Sequence, residues 1–120
     1  MAINVKKKSG DLDAVAIYFM TQASNTEKVS DHAGEIIEYT AYCLYEEENE
    51  KGDPVEVLAL LQPDDIAIAT NSATFIRSFF KMVDLFTEMG EADKLGKIQI
   101  LSDTSKSNRT YYDCVYVRPE

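Results

Sequence analysis

Aromatic and basic side chains come together near the end of the chain, in one strand-like segment and the loop before it. Tyr112 and Tyr116 fall on the same side of a segment that alternates like a β-strand, and Lys106 and Arg109 lie in the polar loop preceding it. A tyrosine ring offers a base a stacking surface and a cation pairs with a phosphate, so this combination predicts contacts with a single-stranded nucleic acid. Both tyrosines also fit a half-buried structural role, and that interpretation stays open.

Four residues elsewhere extend the candidate nucleic-acid-binding set. Tyr42 lies on the more polar face of a long strand-like segment, and Asn71 stands at the start of a central helix, where backbone N–H groups favour an anion. Arg77 lies on the solvent face of that helix, and Lys97 is one of the basic residues in the C-terminal part of the chain. A plain helix cap is the alternative for Asn71, and a solvated surface is the alternative for Arg77.

The residue types that usually catalyse reactions or bind metals are sparse. Cys43 and Cys114 lie inside apolar segments without the spacing of a zinc or redox site, which favours buried free thiols over a disulfide. His32 stands in a polar stretch without a second ligand nearby and is interpreted as a solvated loop residue. The acidic run Glu46–Asp53 lacks the pattern of a calcium loop and is interpreted as a hairpin tip. We therefore expect a non-enzymatic protein with no metal site and no cofactor.

Charge is distributed unevenly along the chain. The net charge of −9 by itself disfavours binding to nucleic acid, because such domains usually present a basic face. Residues 9–70 carry two basic and fourteen acidic side chains, a local charge of −12, whereas residues 71–120 carry seven of each. The basic residues are therefore concentrated towards the C-terminus, and the acidic hairpin tip Glu46–Asp53 is expected to point away from DNA or to face a protein partner.

Length and hydropathy favour one folded unit without a membrane role. A chain of 120 residues can bury one core and is too short to expect two, so residues 1–120 are treated as a single domain. No apolar run approaches the roughly 20 residues that a membrane-spanning helix needs. Met1–Gly10 lacks the apolar stretch and cleavage site of a secretory signal. We expect a cytoplasmic protein that is a monomer or a weak homo-oligomer.

Hydrophobic periodicity predicts the elements that position the candidate residues. A period of two over Glu35–Tyr45 places Ile37, Tyr39, Ala41, Cys43 and Tyr45 in one buried row, and Pro54 fits only the first residue of the next strand. The predicted order is a helix over Asp11–Gln22, a loop over 23–34, strands over Glu35–Tyr45, Val55–Leu61 and Ile66–Thr70, a helix over Asn71–Met89, a strand around Ile98 and Ile100, a loop over Asp103–Arg109, and a strand over Thr110–Arg118.

This order predicts a mainly β fold with one inserted helix. Three strands, a helix and two strands (β-β-β-α-β-β) match the five-stranded OB-fold barrel, here over residues 35–118, with residues 1–34 as an N-terminal extension that carries a short helix. The alternative is an open α+β sheet with the helix across one face, because both folds need the same pattern of one buried face.

Several segments resemble the small single-stranded-DNA-binding proteins of bacteriophages that replicate linear genomes by protein priming. The similarity lies in the short N-terminal helix, the Asp31-His-Ala-Gly34 step, the long strand running to an acidic tip, the A-T-N-S segment Ala69–Ser72 and the basic S-K-S-N-R loop. It covers nearly the whole chain and rests on pattern and order. The resemblance implies a non-catalytic, OB-fold protein that coats displaced single strands during replication with little sequence preference.

Two functional hypotheses follow from these features. The first is sequence-tolerant binding of single-stranded DNA along the first long strand and the final hairpin, with replication proteins as a further class of partner. The second is an acidic interaction or inhibitor module on a small β-barrel, in which the acidic segment engages a basic partner surface.

Overall fold

The computed structural model describes residues 3–9, 12–22, 24, 26–104 and 106–118. Within these residues the protein is mainly β, with two α-helices and two short 3₁₀ helices, Val29–His32 and Ala92–Lys94. The strands and α-helices are β1 Asn4–Lys8, α1 Ala14–Thr21, β2 Glu27–Lys28, β3 Ile36–Glu38, β4 Ala41–Glu48, β5 Pro54–Leu61, β6 Ala67–Thr70, α2 Ala73–Glu88, β7 Lys97–Thr104 and β8 Thr110–Tyr116.

The chain divides into two compact units, each with its own sheet. The first comprises Met1–Lys28 and Tyr39–Asn71, and its five strands are ordered β1-β4-β5-β6-β2. The second comprises Val29–Glu38 and Ser72–Glu120, and its three strands are ordered β3-β7-β8. Neighbouring strands are antiparallel except β2 and β6, which are parallel.

The core of the first unit lies between its sheet and α1. Alternate residues of β4 and β5 point towards α1 because side chains on a strand alternate between the two faces. They surround Met20 of α1, which is completely buried, and Ala16 and Phe19 pack against the same cluster. The members contributed by the strands are Ala41, Cys43, Tyr45, Val57, Ala59 and Leu61.

Helix α1 is shorter than its predicted span. Asp13 is the N-cap, and its side chain accepts a hydrogen bond from the Ala16 N–H at 2.9 Å. Asp11, which the sequence also offers as an N-cap at the start of the predicted span, lies outside the described residues. The spacing of Val15 with Ala16 and Phe19 predicts that all three share one apolar helix face, but Val15 is 63% exposed.

Helix α2 provides the core of the second unit. Ser72 caps it, and the Phe75 N–H donates to Ser72 Oγ. The helix ends before Gly90, whose φ of 73° lies in the left-handed region that glycine adopts without strain. Its apolar side carries the buried residues Phe75, Phe79, Phe80 and Val83, and the predicted helix period is confirmed.

The long strand predicted over Glu35–Tyr45 is divided into β3 and β4. Strand β3 pairs with β7, whereas β4 pairs with β5. Between them, Thr40 donates its N–H to the Leu61 carbonyl oxygen at 2.7 Å. All five residues of the predicted apolar row are nevertheless buried, so the alternation was predicted correctly even though the strand is interrupted.

The predicted β-β-β-α-β-β order is present as β4, β5, β6, α2, β7 and β8. Two strands were missed. Residues 23–34, predicted as a loop, contribute β2 and a 3₁₀ helix, and the lysine-rich start of the chain forms β1 at the edge of the first sheet. Among the described residues the strands pair into two sheets and neither closes into a barrel, because the predicted first strand changes partner at Thr40.

Two further expectations concern the cysteines and the helices. Cys43 and Cys114 are buried free thiols, as predicted. Neither α-helix in the described part of the chain has the length and apolar character needed to cross a bilayer.

Candidate nucleic-acid interface

The hairpin of β7 and β8 carries most of the candidate residues. Its strands pair in register from Ile98 with Tyr116 to Thr104 with Thr110, so the connecting loop spans residues 105–109. Asn108 adopts a φ of 61°, which asparagine tolerates better than most residues. Lys106 and Arg109 are exposed in this loop. Two cations are thus held at the end of a regular hairpin.

One face of β8 packs against α2. The Tyr116 ring lies 4.7 Å from the Phe86 ring, centroid to centroid, and its hydroxyl donates to the Lys94 carbonyl oxygen at 2.9 Å. Cys114 is 7% exposed, and its Sγ lies 4.0 Å from the Phe75 carbonyl oxygen. Tyr112 shares this face and is half-buried. The structure therefore brings the two predicted stacking tyrosines to the same side of β8 and covers much of that side with the helix.

Burial controls the chemistry of Cys114. Desolvation, reinforced by the charge of the neighbouring Asp113 carboxylate, raises the pKa of the Cys114 thiol to about 12. The Cys114 side chain is therefore a protonated thiol at neutral pH, and only a thiolate would be nucleophilic.

The opposite face of the β3-β7-β8 sheet is open to solvent and includes an aromatic residue that the sequence analysis did not select. Tyr111 is 37% exposed, and its hydroxyl lies 3.4 Å from Asp103 Oδ2. The negative charge of Asp103 raises the pKa of Tyr111. Desolvation, the hydrogen bond to Asp103 and the charge of Asp113 raise this pKa further, each by a smaller amount. Exposed Leu101, Val115 and Ile36 lie on the same face. Side chains alternate along β8, so the burial of Cys114 would have placed Tyr111 on the opposite, solvent-exposed face.

The remaining candidates are dispersed. Lys97 lies at the start of β7 and pairs with Glu38 at 3.8 Å, and Arg77 is exposed on α2. Both belong to the second unit, as do Lys106, Arg109, Tyr112 and Tyr116.

Tyr42 and Asn71 belong to the first unit. Tyr42 is half-buried, and its backbone is fixed by Ser9, whose N–H donates to the Tyr42 carbonyl oxygen at 3.0 Å. Asn71 is exposed immediately before the helix, but Ser72 takes the capping position.

No group of three or more potential metal ligands occurs in the part of the chain that the structure describes. The acidic hairpin tip between β4 and β5 is organised by an asparagine instead. Asn49 Oδ1 accepts hydrogen bonds from the N–H groups of Lys51 and Asp53, at 2.9 and 3.0 Å. The tip is therefore a defined turn with exposed carboxylates.

Comparison with known proteins gives no relative from which a site could be transferred. No model of a protein family, no curated protein and no solved structure matches this chain. The candidate site residues are consequently assigned from the sequence and geometry of this chain.

Proposed function

We propose that this protein binds single-stranded DNA, without catalysing a reaction, through the β7–β8 hairpin. The observation that carries the proposal is an exposed basic loop, with Lys106 and Arg109, that is followed directly on β8 by two aromatic rings, Tyr111 and Tyr112. The cations would contact phosphates, and the rings would stack on bases. Lys106 makes no ion pair within the described residues, so its ammonium group is available to a phosphate.

The strand arrangement supports the same proposal at the level of the fold. An OB-fold is a partly open, five-stranded Greek-key barrel that binds oligonucleotides. The elements β4, β5, β6, α2, β7 and β8 follow one another along the chain in the β-β-β-α-β-β order expected for this fold. We therefore propose an OB-like arrangement, with a role in coating displaced strands during bacteriophage replication, as the sequence resemblance implies.

Acidic neighbours set the expected strength of binding. Asp103 and Asp113 lie on the solvent face of the hairpin strands beside Tyr111, so phosphates would be repelled there and restricted to the loop. Because few phosphates are contacted, binding should be weak and should depend on ionic strength.

The test is titration of a fluorescently labelled oligothymidine, followed by anisotropy at two salt concentrations. Lys106→Ala should lower affinity and reduce the salt slope by about 0.7, the value for one lost phosphate contact on a single strand. Lys51→Ala removes another exposed lysine, from the acidic tip, and should change neither the affinity nor the salt slope. Absence of binding at low salt, or equal effects of the two substitutions, would refute the proposal.

A second candidate function is favoured by the ordered acidic tip. Its exposed carboxylates, including Glu48, Glu50 and Asp53, project from a turn fixed by Asn49, so a basic protein surface would meet a preorganised acidic patch. Replacing Glu47, Glu48 and Glu50 by glutamine should then abolish capture of a protein partner from nuclease-treated lysate and leave oligothymidine binding unchanged. Loss of the partner on nuclease treatment alone would argue against this function.

A further inference from the structure

The outward face of α2 has an unusual order of charges. Four charged residues follow one another along this face: the basic residues Arg77 and Lys81 come first, and the acidic residues Asp84 and Glu88 follow towards the C-terminus. All four are exposed, and within the described residues none of them forms an ion pair. They lie opposite the buried side that includes Phe79.

This order of charges is unfavourable for the helix itself. Arg77 and Lys81 are like charges at i, i+4, as are Asp84 and Glu88, and such pairs destabilise a helix. In addition, Glu88 is the last residue of the helix, where a negative charge is unfavourable for the helix dipole. Only Lys81 and Asp84, at i, i+3, form a pair of opposite charges on this face. The pattern therefore needs an explanation outside the isolated helix.

An antiparallel copy of the same face satisfies every charge. If two α2 helices lie antiparallel about a two-fold axis, Arg77 of one faces Glu88 of the other, and Lys81 faces Asp84. Two-fold symmetry repeats both pairs, so the face is self-complementary, as a symmetric dimer interface must be. A parallel arrangement would instead bring like charges together.

Exposed apolar surface lies beside this row of charges. Leu85 is 56% exposed and Met89 is 65% exposed. With Phe86 and Glu91 they line an open groove of about 260 Å³. The aliphatic stem of an arginine or lysine can cover such a surface while its charged group reaches a carboxylate at the rim. The side chains of Arg77 and Lys81 from a second copy have this chemistry.

We propose that two copies of this chain associate through the outward faces of α2, antiparallel and about a two-fold axis. The helix has 16 residues, a length of about 24 Å at 1.5 Å per residue. One helix face of this length buries less area than a standard stable interface, so the dimer is weak and depends on protein concentration. Because the contacts are mainly ionic, it also weakens as salt increases. This proposal does not rest on DNA binding.

Sedimentation equilibrium of nuclease-treated protein provides the test, from about 10 μM to about 1 mM, a range that includes weak dissociation constants. Arg77→Glu with Lys81→Glu, and separately Asp84→Lys with Glu88→Lys, should each weaken homodimerisation at least about tenfold, because like charges then face each other. An equimolar mixture of the two variants should form a heterodimer, and the variant with all four reversals should regain the homodimer.

The control variant reverses two exposed basic residues elsewhere, Lys51→Glu with Arg118→Glu, and has the same net charge as the first variant. It should dimerise like the original protein, and circular dichroism should show that every variant is folded. The proposal is overturned if the original protein is monomeric throughout the range at low salt. It is also overturned if the charge-reversed variants associate like the control, or if their mixture does not restore association.

Discussion

At the scale of single residues, the tyrosines of β8 differ in what their side chains can do. Tyr116 is held by a ring contact to Phe86 and a hydrogen bond to the Lys94 carbonyl oxygen, whereas the ring of Tyr111 faces solvent. Two rings five residues apart on the same strand therefore have separate roles, one in packing the helix and one available to a ligand.

Substitution of these tyrosines should separate stability from binding. Tyr116→Phe should lower the free energy of unfolding by about 0.5–1.5 kcal/mol, because it removes one hydrogen bond and keeps the ring. Tyr111→Ala should leave the free energy of unfolding nearly unchanged and should cost about 1–3 kcal/mol of oligothymidine binding if the ring stacks on a base. Urea denaturation and anisotropy titration measure the two quantities, and the opposite assignment of effects would show that Tyr116 is the stacking residue.

The raised pKa of the Cys114 thiol leads us to expect a loss of stability in alkaline solution. Burial raises the pKa of this thiol to about 12 in the folded protein, against 9.0 for a solvent-exposed cysteine thiol. As the pH rises above 9, the unfolded chain loses this proton first, so the free energy of unfolding is fully retained below pH 9 and falls between about pH 9 and 12. Urea denaturation at intervals between pH 8 and pH 11 should show this decline.

Cys114→Ala provides the comparison for the alkaline decline. The variant should be less stable at pH 8, because a buried side chain is truncated, but its stability should fall less steeply above pH 9. Some decline will remain, since desolvation raises the pKa of Tyr45 to about 12 as well. Equal slopes for the two proteins would show that Cys114 does not titrate as described.

At the scale of secondary-structure elements, the start of α2 connects the helix to the hairpin. Ser72 Oγ accepts from the Phe75 N–H, and the hydroxyl lies 3.4 Å from the Tyr112 carbonyl oxygen, to which it donates. Ser72 thus caps the helix and also donates a hydrogen bond to a carbonyl oxygen of β8. These two hydrogen bonds fix the start of the helix without a bound anion.

Ser72→Ala should lower the free energy of unfolding by about 1 kcal/mol, the typical loss for an N-cap. Ser78→Ala, within the same helix, should have little effect or stabilise slightly, because alanine has the higher helix propensity. Thermal denaturation of both variants measures the difference. If the two substitutions have equal effects, the capping role of Ser72 is disproved.

Element types were largely predictable from the sequence, and pairing partners were not. The alternation of β4 and β5 and the apolar side of α2 follow from hydrophobic periodicity, which depends on local geometry. Strand β1 was missed because Lys6, Lys7 and Lys8 hide the alternation, although lysine on an exposed edge strand is a common protection against aggregation. Strand β2 has only two residues, and its pairing with β6 depends on tertiary contacts.

At the scale of the whole molecule, added salt should have opposite effects on the stability of the fold and on the proposed DNA binding. A net charge of −9 disfavours the compact state by self-repulsion. Raising salt from about 10 mM to about 100 mM shortens the screening length from about 30 Å to about 10 Å. The melting temperature should therefore rise over this range, while the affinity for oligothymidine falls.

A variant with glutamine at Glu47, Glu48 and Glu50 is the matched control for this salt effect. It carries three fewer negative charges in the acidic tip, so its melting temperature should increase less with salt. Calorimetry at several salt concentrations measures both proteins. A melting temperature that falls with salt in the original protein would show that attractive ion pairs, such as that of Lys6 with Glu56 at 2.7 Å, outweigh repulsion.

The sequence by itself determined the mainly β composition, the helix between the third and fourth predicted strands, the buried alternating row from Ile37 to Tyr45 and the two buried thiols. These properties depend on local periodicity and on the cost of exposing apolar side chains. Only the tertiary structure decided that Thr40 interrupts the long strand, and which face of β8 is covered. Both faces of that strand carry apolar residues, with Tyr112, Cys114 and Tyr116 on one side and Tyr111 and Val115 on the other. Alternation shows which residues share a face, but the position of α2 determines which face remains open to a ligand.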